Sequence, residues 1–478
     1  MRELLLDLVD AAARHADYAD ARHVATRRER LATRNGVLDD VLAEDSDGVG
    51  IRVRVGGAWG FAAVRGSGRA ECEAALGRAL AVARAQPAAA GGPLAPETPA
   101  EGAWSSPCER DPFDVPLDRK LATLLETDAA IRAGGGIAVA IAHFEGRRIV
   151  TTFASSEGAA CVQSVTECGG GIAALAVDGE DSQIRSYPAS HGGQVDQAGY
   201  EGFMRLRLAD HAPRIAEEAA ALLKAPACPA GRMTLILAGE QLGLQIHESI
   251  GHAVELDRVL GREISYAGGS YAGPDAVGSL RIGSPLVNVT ADASTPGALG
   301  TFRWDDEGVE AQALPIVRGG VLAGFLSSRE SAAEIGLGRS GGCARASGFD
   351  RQPLVRMTNV NLDPGDAGSL DDLIAATGEG LLIESNRSWS IDDRRLHFQF
   401  GGEAAWEIRG GERGRLLRNP SYSGLTPQFW GSCDAVCSAP AWGVTSLIDC
   451  GKGEPGQFVR VSHGSAPARF QDVEVGVA

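Results

Sequence analysis

Two histidines five positions apart place a demand on the backbone that few helices meet. They bracket the run His247-Glu248-Ser249-Ile250-Gly251-His252. Imidazoles four residues apart lie about 40° from each other around a helix axis at ~100° per residue, and both can reach one ion. Five apart, they lie about 140° from each other, so a helix that brings both to one ion must take an extra residue into that turn. Gly251, directly before the second histidine, suits such a π-bulge, a distortion frequent at functional sites. The residue types give the constraint a chemical meaning: two imidazole ligands with a carboxylate beside the first are the parts of a zinc hydrolase. A chance cluster on a surface helix is the competing reading, and the flanking sequence argues against it. Arg232 to Ala238 reads as a buried strand and Gly239 to Gln245 as a helix start, so the motif falls on a rigid strand–helix unit.

A catalytic zinc takes three protein ligands and keeps one position open, and the motif supplies only two. Several residues compete for the third place. Glu255 follows His252 by three residues on the same helix face and could ligate, or hydrogen-bond from behind. Asp257 is less well placed. Cys433 and Cys437 form a Cys-x-x-x-Cys pair, which at that spacing reads as two ordinary thiols. Cys450 lies in Asp449-Cys450-Gly451-Lys452-Gly453, read as a glycine-rich turn that could present its sulfur with little hindrance, and the nearby Lys452 reads as a solvated lysine. The residues alone leave the choice open. Glu248 reads as the general base, taking a proton from water and delivering it to the leaving amine.

Other matches lack the context their chemistry needs. Gly336-Leu-Gly338-Arg-Ser-Gly341 fits a dinucleotide fingerprint, yet a helix-like segment precedes it where a strand is required. Ser340 sits in a Gly-x-Ser-x-Gly run without the strand and helix of a nucleophile elbow. His15, His23, His143, His191, His211, His397 and His463 are isolated in sequence and read as surface or core histidines.

A formal net charge of −17 argues against nucleic acid as a partner, because that binding rests on a basic surface. The absence of any apolar run of ~18 residues gives no membrane span. Acids interrupt the apolar stretch of the first fourteen residues, as in an amphipathic helix and unlike a signal peptide, so the cytoplasm is the expected compartment. Nine cysteines at irregular spacings argue for thiols over a disulfide framework.

At 478 residues the chain exceeds what one core usually supports. Two domains are expected, residues 1–226 and 230–478, divided at Ala225-Pro-Ala-Cys-Pro229. In the first, helices over 1–16, 69–84, 117–133 and 200–224 alternate with strands. Turns are expected at Asn35-Gly36, Gly56-Gly57, Glu145-Gly146 and Glu157-Gly158, and a surface loop over 87–107. In the second, the motif helix is followed mostly by strands, at 285–291, 309–326 and 381–409. These elements make an α+β protein.

The run Ile246 to Gly261 resembles the active-site helix of the TldD/PmbA metallopeptidases. The likeness continues through Gly48 to Val55, Trp59-Gly-Phe61, Met357-Thr-Asn359, Pro364-Gly365 and Leu447 to Lys452, so it spans essentially the whole chain. Because the PmbA-like branch lacks the two histidine ligands, the chain resembles the TldD-like, catalytic branch. The resemblance implies a zinc ion held by His247, His252 and Cys450, and Glu248 as base. It also implies a mostly β C-terminal domain, and a cavity closed by two subunits, as a homodimer or with a PmbA-like partner. The expected substrate is a peptide or an unfolded segment. A zinc amidase trimming a peptide-like metabolite and a noncatalytic peptide-binding subunit are the alternatives. Asn386 to His397 and Ser421 to Pro440 depart most from the family pattern.

Overall fold

The computed structural model describes residues 1–86, 92–453 and 456–477. The protein is α+β, built on two large sheets. Strands β1 (Tyr18–Arg34), β2 (Val37–Val55) and β3 (Ala58–Arg65) form a meander, and β4 (Glu101–Ser105), β5 (Ile137–Ser155) and β6 (Ala160–Asp178) complete the order β3-β2-β1-β5-β6-β4. Strands β7 (Asp181–Tyr187) and β8 (Gln194–Asp196) also pair with β6. Asn35 and Gly36, with φ of 51° and 81°, make the tight β1–β2 turn that their sequence predicts. Helices α1 (Arg2–Ala13) and α2 (Arg69–Ala85) bury Leu5, Leu8, Leu76 and Ala79 against one part of this sheet. Helices α3 (Leu117–Arg132), α4 (Tyr200–Arg205) and α5 (Leu208–Leu222) cover another around Phe144 and Phe203.

Several expectations are corrected here. Glu145-Gly146 is no turn: β5 runs straight through it, with Gly146 opposite Cys168. A Cβ there would come within 3.3 Å of both Phe144 and Pro112, so the glycine marks a close approach inside a strand. The helix expected over 200–224 breaks in two at Arg207, whose backbone is left-handed. Part of the loop expected over 87–107, residues 87–91, lies outside the described residues. Its later portion contains β4, parallel to β6. The strand expected from Pro285 starts only at Val289.

The second sheet places the motif. Strand β9 (Gly231–Leu237) lies inside it, parallel to Glu379–Ile383 on one side and antiparallel to Ala468–Val477 on the other. Its Leu235, Ile236 and Leu237 are fully buried. A φ of +50° at Gly239 turns β9 directly into helix α6 (Gly239–Ile246), and the Gln241 N–H donates to Glu384 O at 3.1 Å. Every residue of α6 after Gly239 is buried, so its polar side chains need partners. Gln241 donates to the Tyr422 hydroxyl at 2.8 Å, and that hydroxyl donates to Gln245 at 3.0 Å. A separate hairpin, Gly443–Lys452 with Gln457–Ser465, lies against α6. No helix among the described residues is long and apolar enough to cross a membrane.

Candidate metal centre

Helix α6 runs into a π-turn over His247–Gly251, closed by the His252 N–H donating to His247 O, five residues back. The extra residue expected from the spacing is therefore present, and the two imidazoles meet edge to face, with ring centroids 4.6 Å apart and planes at 83°. Gly251 has ordinary helical φ of −53°, so its freedom of φ is not what the turn uses. Space is: a Cβ there would stand 2.2 Å from Met357 Sδ. Trp430 Nε1 donates to Ser249 Oγ at 2.9 Å and fixes the turn from the core side.

The third member arrives from the hairpin. Cys450 sits within the strand Gly443–Lys452, beside an irregularity in its pairing and opposite Val459. It is a strand residue, a correction to the expected glycine-rich turn. His247, His252 and Cys450 bring their ligand atoms within 4.8 Å of one another, all buried, and can hold a metal ion. His252 Nε2 and Cys450 Sγ stand 3.7 Å apart. Two ligands of a tetrahedral zinc at ~2.0–2.1 Å for nitrogen and ~2.3 Å for sulfur would be ~3.6 Å apart, so the donor set fits that ion.

Hydrogen bonds behind the rings fix which nitrogen is available. Val360 O can only accept, so His463 Nδ1, 2.8 Å away, carries the proton. His463 Nε2 is then an acceptor, and His247 Nδ1, 2.8 Å from it, must donate. That leaves the His247 Nε2 lone pair free. On the other ring, His252 Nδ1 donates to Glu255 Oε2 at 2.9 Å, which again leaves Nε2. Burial pushes His247 down to about 4 and His463 to about 3, and takes His252 well below its usual value, so all three rings are neutral near pH 7. Burial raises the Cys450 thiol, but positive charge at the sulfur, led by Arg356 3.2 Å away, brings the net shift downward. Every other cysteine is shifted upward by burial.

Glu255 and Asp257 stand behind the cluster. Glu255 supports His252 and lies 3.3 Å from Lys452 Nζ, which donates to Asp257 at 2.7 Å. Lys452 is fully buried, a correction to the solvated lysine expected from sequence; its two acid partners neutralise it. Cys433 and Cys437 lie elsewhere in the core, their thiols donating to Ala435 O and Ser369 O. Glu248 lines a cleft of ≈ 380 Å³ together with His247, His252, Cys450, Leu244 and Trp389. Its carboxylate pairs with Arg395. His191 lines the same cleft, its Nδ1 2.6 Å from Ser190 Oγ, which in turn donates to Glu240 at 2.8 Å. Sequence reading missed His463, Arg356, Arg395 and His191. The only signal was weak: Arg395 lies in a segment departing from the family pattern.

Two tautomer-fixed imidazoles and a buried thiol that could together hold a metal ion, with a carboxylate beside them, line one cleft. Comparison with known proteins gives the family. Models of PmbA/TldA metallopeptidase domain 1, the central domain and the C-terminal domain match residues 19–85, 110–225 and 230–477. The chain belongs to the PmbA/TldD metallopeptidase family. A metalloprotease of Methanothermobacter thermautotrophicus is 30% identical over 473 residues, 99% of this chain and 97% of that protein. A zinc metalloprotease TldD homolog of Saccharolobus solfataricus is 30% identical over 255 residues, 53% of this chain and 54% of its own. The solved structure of TldE from Thermococcus kodakarensis superposes with a TM-score of 0.75 over 99% of this chain and all of that one, at 14% identity. A putative DNA gyrase modulator from Thermotoga maritima gives 0.76 over 99% of each chain, at 16% identity. At those identities the likeness is one of fold.

Proposed function

We propose that this chain is a zinc metallopeptidase, with His247, His252 and Cys450 as ligands and Glu248 as general base, cutting peptide bonds in peptides or unfolded segments. One observation carries the reading: two Nε2 lone pairs, fixed by acceptors behind their rings, converge with the chain's one acidified thiol beside a carboxylate. A zinc ion held there supplies a Lewis acid that lowers the pKa of water toward ~7 and polarises a carbonyl. The remaining steps belong to the protein. Glu248 takes the proton of the attacking water and passes it to the leaving nitrogen. His463 and Glu255 hold the two rings in register, and Arg356 compensates the charge of the thiolate. Leu244, Trp389, Leu447 and Ile448 give the cleft an apolar wall for the side chains flanking the scissile bond.

The names of relatives support the reaction class. Metal analysis of the purified protein, combined with cleavage of a mixed peptide library, tests it. The expected result is one zinc per chain and cleavage that a chelator abolishes and zinc restores. Cleavage that persists in chelator, or a protein without zinc, overturns the reading. The same proposal includes a second subunit, a copy of this chain or a PmbA-like partner, that closes the cleft. A fully active monomer in light scattering would contradict that part alone.

A further inference from the structure

The cleft wall carries a guanidinium whose placement the hydrolytic chemistry does not require. Arg395 belongs to the connection between the strands Asn386–Ile391 and His397–Gly402, and the first of these is the edge of the nine-stranded sheet. Its φ is 62°, a left-handed conformation disfavoured for a residue with a Cβ. The surroundings impose it: Arg395 N donates to Asp392 O at 2.9 Å, Leu396 N to Asp392 Oδ1 at 2.7 Å, and the Thr426 hydroxyl to Arg395 O at 2.8 Å. So held, the side chain is only 14% exposed, with Nη1 on Glu248 Oε2 and a buried Nε that has no partner. Neither of the other cleft acids satisfies it. Glu240 is committed to Ser190, His191 and the Asn386 N–H, while Asp449, on the exposed rim, forms no ion pair with it among the described residues.

A guanidinium is built for two parallel bonds to one carboxylate, and a donor left bare in a buried wall is a cost that a ligand can remove. While Arg395 holds Glu248, it also holds an oxygen of the proposed base. We infer that Arg395 is a specificity-determining residue that binds a carboxylate of the substrate, either the peptide's C-terminus or an acidic side chain, and in doing so releases Glu248. This rests on the peptidase reading above. The preferred substrates are therefore peptides that place a negative charge next to the scissile bond, with the apolar wall of Leu244 and Trp389 receiving the neighbouring side chain.

The test uses matched peptides in two sets: a free C-terminal carboxylate against the carboxamide, and Glu against Gln beside the cleavage site. For the wild-type protein, kcat/KM should favour the charged member of one set by about tenfold or more, a typical worth for a charged hydrogen bond. The set that discriminates identifies the source of the carboxylate. Arg395→Gln should bring that ratio close to one at unchanged zinc content. If the variant slows both members equally and keeps the ratio, Arg395 only positions Glu248 and the inference is overturned; equal rates for both members in the wild type overturn it as well. A second arm needs no turnover: calorimetric titration of metal-stripped protein with the same peptides should show tighter binding of the charged member, lost in Arg395→Gln. Equal binding of both members by the wild type counts against the inference. Charge-selective binding without any zinc-dependent cleavage would instead remove the peptidase reading and leave the carboxylate site.

Discussion

Three cysteines of the C-terminal half are equally buried and chemically opposite. Cys433 and Cys437 are the pair whose spacing reads as two ordinary thiols, and each thiol donates to a backbone carbonyl while burial pushes them up to about 12 and about 11. Cys450, alone in its stretch of sequence, has Arg356 3.2 Å from its sulfur and His252 3.7 Å away, and its thiol is shifted down. The difference lies in fixed positive charge and hydrogen-bond donors at the sulfur, which stabilise a thiolate against the cost of burial. What faces each sulfur therefore separates the candidate ligand Cys450 from the two structural thiols.

Breaking the contrast at its strong end should have the largest effect. Cys450→Ser is expected to strip zinc from the purified protein and to abolish chelator-sensitive cleavage, measured by elemental analysis and a peptide assay. Full zinc occupancy in that variant would show that Glu255 or Asp257 completes the set. Next comes Glu248→Ala, which leaves all three ligand atoms in place. It should retain zinc and fold normally while losing at least ~10²-fold in turnover. Turnover near wild type would remove Glu248 from the mechanism without disturbing the ligand assignment.

How much of this was legible in the sequence follows the distance over which each contact is made. The π-turn could be read because both histidines and the glycine between them belong to one local run, and the hairpins at Asn35-Gly36 and Gly56-Gly57 because a turn needs only its own residues. Glu145-Gly146 misled for the same reason. As a local pattern it signals a turn, and what keeps Gly146 in a strand is its pairing with Glu29 and Cys168 on the neighbouring strands. The support of the site was illegible. His463 meets His247 across 216 positions, and Lys452 finds Asp257 across 195, so nothing in either neighbourhood announced that the one holds a ring and the other is buried. The acidity of Cys450 depends on Arg356, 94 positions away.

Two intermediate effects sharpen the comparison. Removing the acceptor behind His247 by His463→Ala should weaken zinc binding or activity by roughly 10 to 100-fold, the usual cost of losing a partner behind a metal ligand. A competition titration against a chelator measures it, and unchanged affinity would mean that the hydrogen bond to His247 does not matter for binding. In the metal-stripped protein at pH 7, Cys450 should be alkylated by iodoacetamide about tenfold faster than Cys433 or Cys437, because its lowered thiol gives more thiolate below the ordinary cysteine range. Zinc should suppress that labelling. Peptide mass spectrometry with and without the metal reads both effects, and equal labelling of the three sites would erase the electrostatic distinction between them.

The smallest effect at the site is expected from Cys433→Ser and Cys437→Ser. Both substitutions put a hydroxyl where a thiol packs among apolar side chains of the main core. Serine is a stronger hydrogen-bonding group that holds water more tightly, so burying it costs roughly 1–3 kcal/mol when its partners are imperfect. In a domain of this size that is a fall in Tm of a few degrees, on the order of 2–4 °C per kcal/mol. Zinc stoichiometry and kcat/KM should nonetheless stay at wild-type values, because neither sulfur belongs to the cluster of His247, His252 and Cys450. Thermal denaturation beside zinc analysis separates the two consequences. A lower Tm with full zinc fits two structural thiols, whereas zinc lost together with Cys433 or Cys437 would mean that the metal sits elsewhere and that the charge around Cys450 has been misread.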